Sequence, residues 1–174
     1  MQKPFAIPDD ADVEYVYDGL MHLGAEIAVE TIDALIAGDG HVTTIDQEES
    51  EYSTRISRLY PAPKIFKQTC EINWNRPCKR VYDFIRGLSP YPGAWTTLMG
   101  PDGKTVDLKV FKSTKTEKNV GMHPGMIVIY KGMLYITTDD CLLQIDELQL
   151  AGKKRMTARD FLNGNKNFDR YTIK

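Results

Sequence analysis

The sequence predicts an α+β, mainly β protein: a small OB-like barrel preceded by one long amphipathic helix. Apolar residues recur at helical spacing through the first 35 residues, and a linker stiffened by Pro61 and Pro63 follows. From Ala94 onward the pattern changes to short strand-like runs cut by turn residues. Five short strands with one or two helices suggest a barrel, and the OB-like barrel is the natural candidate.

The helix begins after Asp9-Asp10-Ala11-Asp12, which supplies N-cap candidates. Val13, Val16, Leu20, Leu23, Ile27, Ala34 and Leu35 then follow at near-helical spacing. Glu14, Asp18, His22, Glu26 and Glu30 stand at every fourth position on the opposite face. Gly38-Asp39-Gly40 ends the pattern, and Gly24 is the candidate break within it. An acidic stripe repels phosphate, so this face is expected to meet solvent, away from any nucleic acid. The linker over residues 46–70 turns from acidic (Asp46 to Glu51) to basic (Arg55, Arg58, Lys64, Lys67). Residues before proline avoid the helical region, so its course should be extended.

Asn75-Arg76-Pro77 opens a second helix, running to about Leu88, with Cys78, Val81, Tyr82, Ile85 and Leu88 on its apolar side. Pro90 and Pro92 forbid its continuation, Gly93 permits an unusual dihedral, and Trp95 is expected to anchor the first strand in the core. The predicted strands are Ala94–Met99, Thr105–Ser113, Gly125–Tyr130, Met133–Thr137 and Cys141–Leu150, with hairpin-like turns at Gly100-Pro101-Asp102-Gly103 and Lys131-Gly132. A last short helix starts at Thr157, capped with Asp160 three residues on, and ends at Gly164.

The 174 residues allow one domain, or one plus an appendage. Hydrophobic content of 42% and charge of 26% are ordinary for a soluble globular chain. No apolar run approaches the roughly 18 residues of a membrane span, and Met1-Gln2-Lys3-Pro4 does not open a signal peptide. A cytoplasmic protein with no membrane partner is the expectation. Cys70, Cys78 and Cys141 are odd in number and lack metal-like spacing, so free thiols are expected rather than a disulfide or zinc site. The net charge of -2 conceals a division: residues 1–60 hold 13 acids and three bases, residues 61–174 hold 19 bases and 11 acids. That asymmetry hints at a polyanion-binding face on the C-terminal part.

No convincing active site emerges. His22, His41 and His123 are scattered, Asp139-Asp140-Cys141 reads as a turn between strands, and no G-x-S-x-G, H-E-x-x-H, Walker or G-x-G-x-x-G motif occurs. The densest basic cluster is Lys153-Lys154-Arg155, between the last strand and the last helix. Lys64 and Lys67 form a second candidate, which Lys104, Lys109, Lys112, Lys115 and Lys118 could extend. Arg86, at a helix end, suits either a phosphate or the helix dipole. Tyr130 and Tyr135 are expected to pack in the barrel, which leaves few stacking platforms and favours a folded RNA held by backbone and shape.

Ile85-Arg86-Gly87-Leu88-Ser89-Pro90-Tyr91-Pro92-Gly93-Ala94-Trp95-Thr96 adds a further reading. Ala62-Pro63-Lys64-Ile65 and Ile72-Asn73-Trp74 precede it, and Ala151-Gly152-Lys153-Lys154-Arg155-Met156 follows. In this order and spacing the segments resemble the C-terminal part of the methionyl-tRNA formyltransferase family, from about Asp12 to Leu162. Asn73 departs from the Asp more usual there. The resemblance implies that residues 1–45 end a Rossmann-like catalytic domain, 46–70 are its linker, and 71–174 are the tRNA-binding barrel. Lys153, Lys154 and Arg155 fall in a matched segment, which favours RNA for that cluster; with Lys64, Lys67 and Arg86 they are the candidate tRNA contacts, and no catalytic, cofactor or metal residue is expected in this chain. The catalytic Asn, His and Asp should lie before Met1, so the chain alone is expected to be inactive. Formyl-tetrahydrofolate would be the cosubstrate of the whole enzyme, and initiator methionyl-tRNA and the catalytic domain its partners. Self-association through the N-terminal helix is a further expectation, since its apolar face needs cover. Tails of related formyltransferases acting on sugars or small amines, and a stand-alone RNA-binding or interaction module, are the alternatives.

Overall fold

The computed structural model describes residues 1–44, 61–118 and 121–174. The linker's acidic run and Arg55 and Arg58 lie outside the described residues. Two compact units are present: Met1–Ile7 with Val16–Ile65, and Pro8–Tyr15 with Phe66–Lys174.

Helix α1 spans Val13–Ala37, and the Asp12 carboxylate caps it by accepting from the Tyr15 N–H at 2.9 Å. The helix runs through Gly24 unbroken: an interior glycine costs about 1 kcal/mol of propensity, but no proline or inserted group is there to turn it into a kink. It ends where the sequence places the end, with Asp39 and Gly40 at φ 49° and 83° and the Gly40 N–H returning to the Leu35 carbonyl. Within the first unit the Phe5 ring occupies the space a Cβ on Gly19 would need, and Lys3 pairs with Glu30. No residue of α1 is buried: Tyr17, Leu20, Met21, Ile32 and Ile36 stand exposed beside the acids.

The second unit is a nearly closed antiparallel barrel with the helices expected of an α+β fold. Its strands are β1 (Ala94–Met99), β2 (Thr105–Lys115), β3 (Ile127–Tyr130), β4 (Met133–Thr137) and β5 (Leu142–Leu150). Two-residue β6 (Met156–Thr157) and β7 (Thr172–Ile173) join them. The hydrogen-bonded order is β3-β4-β5-β2-β1-β7, with β6 on β5. Alternate residues Leu98, Leu108, Val110, Leu134, Ile136, Leu143, Ile145 and Leu148 point inward and are fully buried. Helix α2 (Cys78–Gly87) covers this core with Cys78, Val81 and Ile85, and helix α3 (Ala158–Gly164) adds Phe161, edge-on to Phe168. Thr157 caps α3 by accepting from the Asp160 N–H, as the spacing predicts.

Three expectations are corrected. Trp95 is half-buried on the outer side of β1, where its indole N–H donates to the Lys67 carbonyl at 2.8 Å; Trp74, 4% exposed and donating to Thr96, is the tryptophan in the core. Strand alternation explains this, because Ala94, Thr96 and Leu98 take the inward positions. Cys78 and Cys141 are joined as a disulfide, and Cys70 alone is a free, buried thiol. The pairing follows from α2 starting beside the β4–β5 turn, where Asp140 accepts from the Cys78 N–H at 2.6 Å. Tyr135 is buried, but Tyr130 is 54% exposed at the end of its strand. Between Leu88 and Ala94 the Ser89–Pro90 and Tyr91–Pro92 peptides are both cis, and Gly93 adopts φ 85°.

Candidate nucleic-acid interface

Strand β2 carries register shifts against β5 on either side of Lys112, so Ser113 faces Ile145 while Lys112 faces Glu147. Bulges of this kind re-aim side chains, and a cleft of about 540 Å³ lies between β2 and α2. Four cations line it: Arg86 from the end of α2, Lys112 and Lys115 from β2, and Arg155 from just after the β5–β6 turn. Asp10, Asp12 and Glu147 are the acids of its wall.

The two arginines are held firmly. Arg86 donates from Nε to Asp83 at 2.8 Å and from Nη1 to the Ala11 carbonyl at 2.7 Å. Arg155 grips Glu147 with Nε at 2.8 Å and Nη2 at 2.6 Å, its guanidinium 4.5 Å from the centre of the Phe111 ring. Lys115 sits 4.7 Å over the Tyr82 ring. Burial pushes the Asp83 carboxyl up, yet hydrogen bonds from Lys79 and Arg86 outweigh it and hold the group below the ordinary carboxylate range. Burial also raises the Tyr82 phenol, partly offset by the Arg86 charge. The Ser113 hydroxyl, lining the same cleft, is buried and has no hydrogen-bond partner among the described residues.

Of the six residues singled out from the sequence, the cleft unites only Arg86 and Arg155. Lys67 lies on the Trp95 side of the sheet, 5.1 Å over that ring and 3.3 Å from Asp107. Lys153 and Lys154 are exposed on the turn after β5, shaped by Gly152 at φ 76° and by Gln149 donating to the Lys153 carbonyl at 2.8 Å. Lys64 belongs to the other compact unit and is exposed. The basic triplet is thus divided, its two lysines presented outward and its arginine folded against the barrel. Sequence reasoning missed the acids that hold the arginines. The i,i+3 spacing of Asp83 and Arg86 was a usable signal, whereas Glu147 meets Arg155 only across a turn. The one group of described residues spaced to hold a metal, Cys78, Asp140 and Cys141, has both sulphurs committed to each other.

An arrangement of fixed guanidinium planes, lysines and rings suits phosphate oxygens more than bond-making chemistry. The formyl transferase C-terminal domain family matches residues 64–166. A methionyl-tRNA formyltransferase of Parabacteroides distasonis is 46% identical over 173 residues, 99% of this chain and 52% of that protein. One from Bacteroides fragilis is 48% identical over 94% of this chain and 49% of its own length. The chain therefore spans about half the length of the curated relatives it matches. Among solved structures, HypX from Aquifex aeolicus in complex with tetrahydrofolic acid superposes with a TM-score of 0.60 at 16% identity, covering 94% of this chain and 27% of that one. That likeness speaks to fold alone. With its matched segment running from the linker through the barrel to α3, this chain belongs to the formyl transferase C-terminal domain family.

Proposed function

We propose that this chain is the tRNA-holding portion of a methionyl-tRNA formyltransferase, a cytoplasmic enzyme that formylates the methionine amino group of initiator methionyl-tRNA in translation initiation. The observation that carries the proposal is the cleft lined by Arg86, Lys112, Lys115 and Arg155, set in a chain 46% identical to such an enzyme over nearly its whole length. Phosphates of a folded RNA would meet Arg86, Lys112, Lys115 and Arg155 in the cleft, with Lys153 and Lys154 on the adjoining turn; Lys64 and Lys67 remain candidate contacts of their own. Such interactions position an RNA without reading its sequence. Formyl transfer itself belongs to the catalytic portion of the relatives, outside the matched half. The formyl donor, formyl-tetrahydrofolate, is assigned no residue here, because the cleft's cationic donor set suits phosphates. This chain alone should transfer no formyl group.

A salt titration with initiator tRNA tests the reading. Lys153→Ala, Lys154→Ala and Arg155→Ala combined should flatten log affinity against log salt by about 0.7–0.9 for each phosphate that is no longer neutralised. The weakening should be equal for initiator and elongator tRNA. Affinities and slopes identical to the parent chain would remove the cluster from the interface, and a parent chain that binds no tRNA would overturn the proposal.

A further inference from the structure

The second cation-rich region lies on a different part of the barrel. Lys131 and Gly132, at φ 51° and 74°, make the two-residue turn between β3 and β4. Positive φ at both positions suits the right-handed twist of paired strands, so the two strands close through a tight two-residue turn. It holds Tyr130 outward, 54% exposed, at the edge of the barrel. Two ammonium groups flank that ring: Lys131 at 5.3 Å and Lys118 at 5.9 Å from its centre. The ring is therefore exposed but attended by two ammonium groups, and an RNA phosphate that draws either lysine aside uncovers a π-face for a base.

Beside the tip runs a groove of about 600 Å³, bounded by the hairpin and by α3. Its cations are Lys131, Arg159 and Lys166. Arg159 is the second residue of α3 and Lys166 follows its end, so the two stand at opposite ends of the same short element. Neither has a carboxylate partner among the described residues. The groove's single acid, Asp146, is occupied: it accepts from Thr114 at 2.7 Å and from Gln144 at 2.6 Å. The arginines of the cleft each share their charge with one acid, Asp83 or Glu147, whereas Arg159 and Lys166 of the groove meet none among the described residues.

We propose that this hairpin tip and groove form a second RNA-binding surface, one that takes an unpaired nucleotide, with its base stacked on Tyr130 and its flanking phosphates on Lys131, Arg159 and Lys166. The ring supplies sequence-tolerant stacking and the cations follow the backbone, the pairing of features that single-stranded RNA requires. A purely double-helical RNA offers phosphates but no free base face. The inference rests on the tRNA-holding reading and adds that the RNA has a single-stranded nucleotide beside its stem.

The test compares the parent chain with Tyr130→Ala, Tyr130→Phe and the pair Arg159→Ala plus Lys166→Ala. All three positions are exposed, so the variants should fold, as circular dichroism will verify. Binding is read by fluorescence anisotropy with initiator tRNA, a single-stranded oligoribonucleotide and an RNA duplex of equal length. Tyr130→Ala should weaken single-strand binding roughly ten-fold, within the range for one unstacked base, and leave duplex binding unchanged. Tyr130→Phe should retain parental affinity. The Arg159 and Lys166 pair should flatten the single-strand salt slope by about 0.7 for each phosphate released. If the parent chain binds tRNA while Tyr130→Ala matches it on every RNA, this inference fails and the tRNA-holding reading survives. Equal weakening on single strand and duplex would reduce the tip to a charge patch and also overturn the inference. A parent chain that ignores tRNA sinks the reading beneath it.

Discussion

Helix α1 and the barrel divide the work of folding unequally. The barrel encloses a continuous set of buried side chains from its strands and helices, whereas α1 is 25 residues long and buries none. Both contain similar apolar residue types, Ile, Leu and Val, in regular patterns. What separates them is the partner surface: a period-2 strand closes against neighbours in its own sheet, while an amphipathic helix needs a surface from elsewhere. Isolated helices owe little to propensity, and most helical stability in proteins comes from tertiary packing. The same residue type therefore has very different energetic weight in the two regions.

The largest expected effect sharpens this contrast. Leu134→Ala should destabilise the barrel by about 2–5 kcal/mol, because a fully buried leucine leaves a cavity. Ile32→Ala on α1 should stay within about 0.5 kcal/mol, as exposed positions do. Urea titration of each variant gives the comparison, and equal effects would mean that α1's apolar face is covered in solution. Self-association through that face, if it occurs, would register in the same experiment as a midpoint that rises with protein concentration.

Next in size is the Cys78–Cys141 disulfide, which closes a loop with a sequence separation of 63. A bridge of that span stabilises by about 2–4 kcal/mol, chiefly by restricting the unfolded chain. Dithiothreitol should therefore lower the barrel's thermal midpoint and speed amide exchange in α2 and the β4–β5 turn. Amides of Val16–Ala37 should exchange rapidly with or without reductant. Unchanged barrel exchange on reduction would show that packing alone holds α2 in place.

The smallest effect is electrostatic and confined to the barrel. Asp83 has a depressed pKa in the folded state, so its pairing with Lys79 and Arg86 stabilises the fold above the unfolded carboxylate's pKa. That contribution should fade as pH falls through the lower folded-state value. Asp83→Asn should flatten the acid limb of stability against pH and leave the neutral region of the parent curve offset by a constant amount. An acid limb identical to the parent's would place the pH dependence at other carboxylates.

Much of the barrel was legible because its turns are written in glycine and proline. Ala94–Met99 and Met133–Thr137 fall where alternation places them, between Gly93 and Gly100 and just after Gly132. The end of α1 was legible for the same reason, through Gly38 and Gly40. Strands β6 and β7 were not, since two residues are too short to show a period. The disulfide was missed because its partners are distant in sequence and meet only through the docking of α2. The exposure of Tyr130 depended on which face of β3 turns outward, and its run of Ile127-Val128-Ile129-Tyr130 is apolar on both faces. Basic residues announced themselves readily, but their ion-pair partners did not. Composition therefore located the charge without revealing that acids hold Arg86 and Arg155, while Arg159 and Lys166 meet none among the described residues.

The placement of the two tryptophans also equips the molecule with a pair of built-in optical reporters. Trp74, enclosed and hydrogen-bonded to Thr96, should emit at short wavelength and resist a dissolved quencher. Trp95 rests beneath the Lys67 ammonium at 5.1 Å, with its indole N–H tied to the carbonyl of that same residue. Any anion that draws Lys67 away removes a cation from its ring and alters its emission, with no label added. One fluorescence spectrum thus carries two channels, a reference set by the core and a signal set by the linker-side surface.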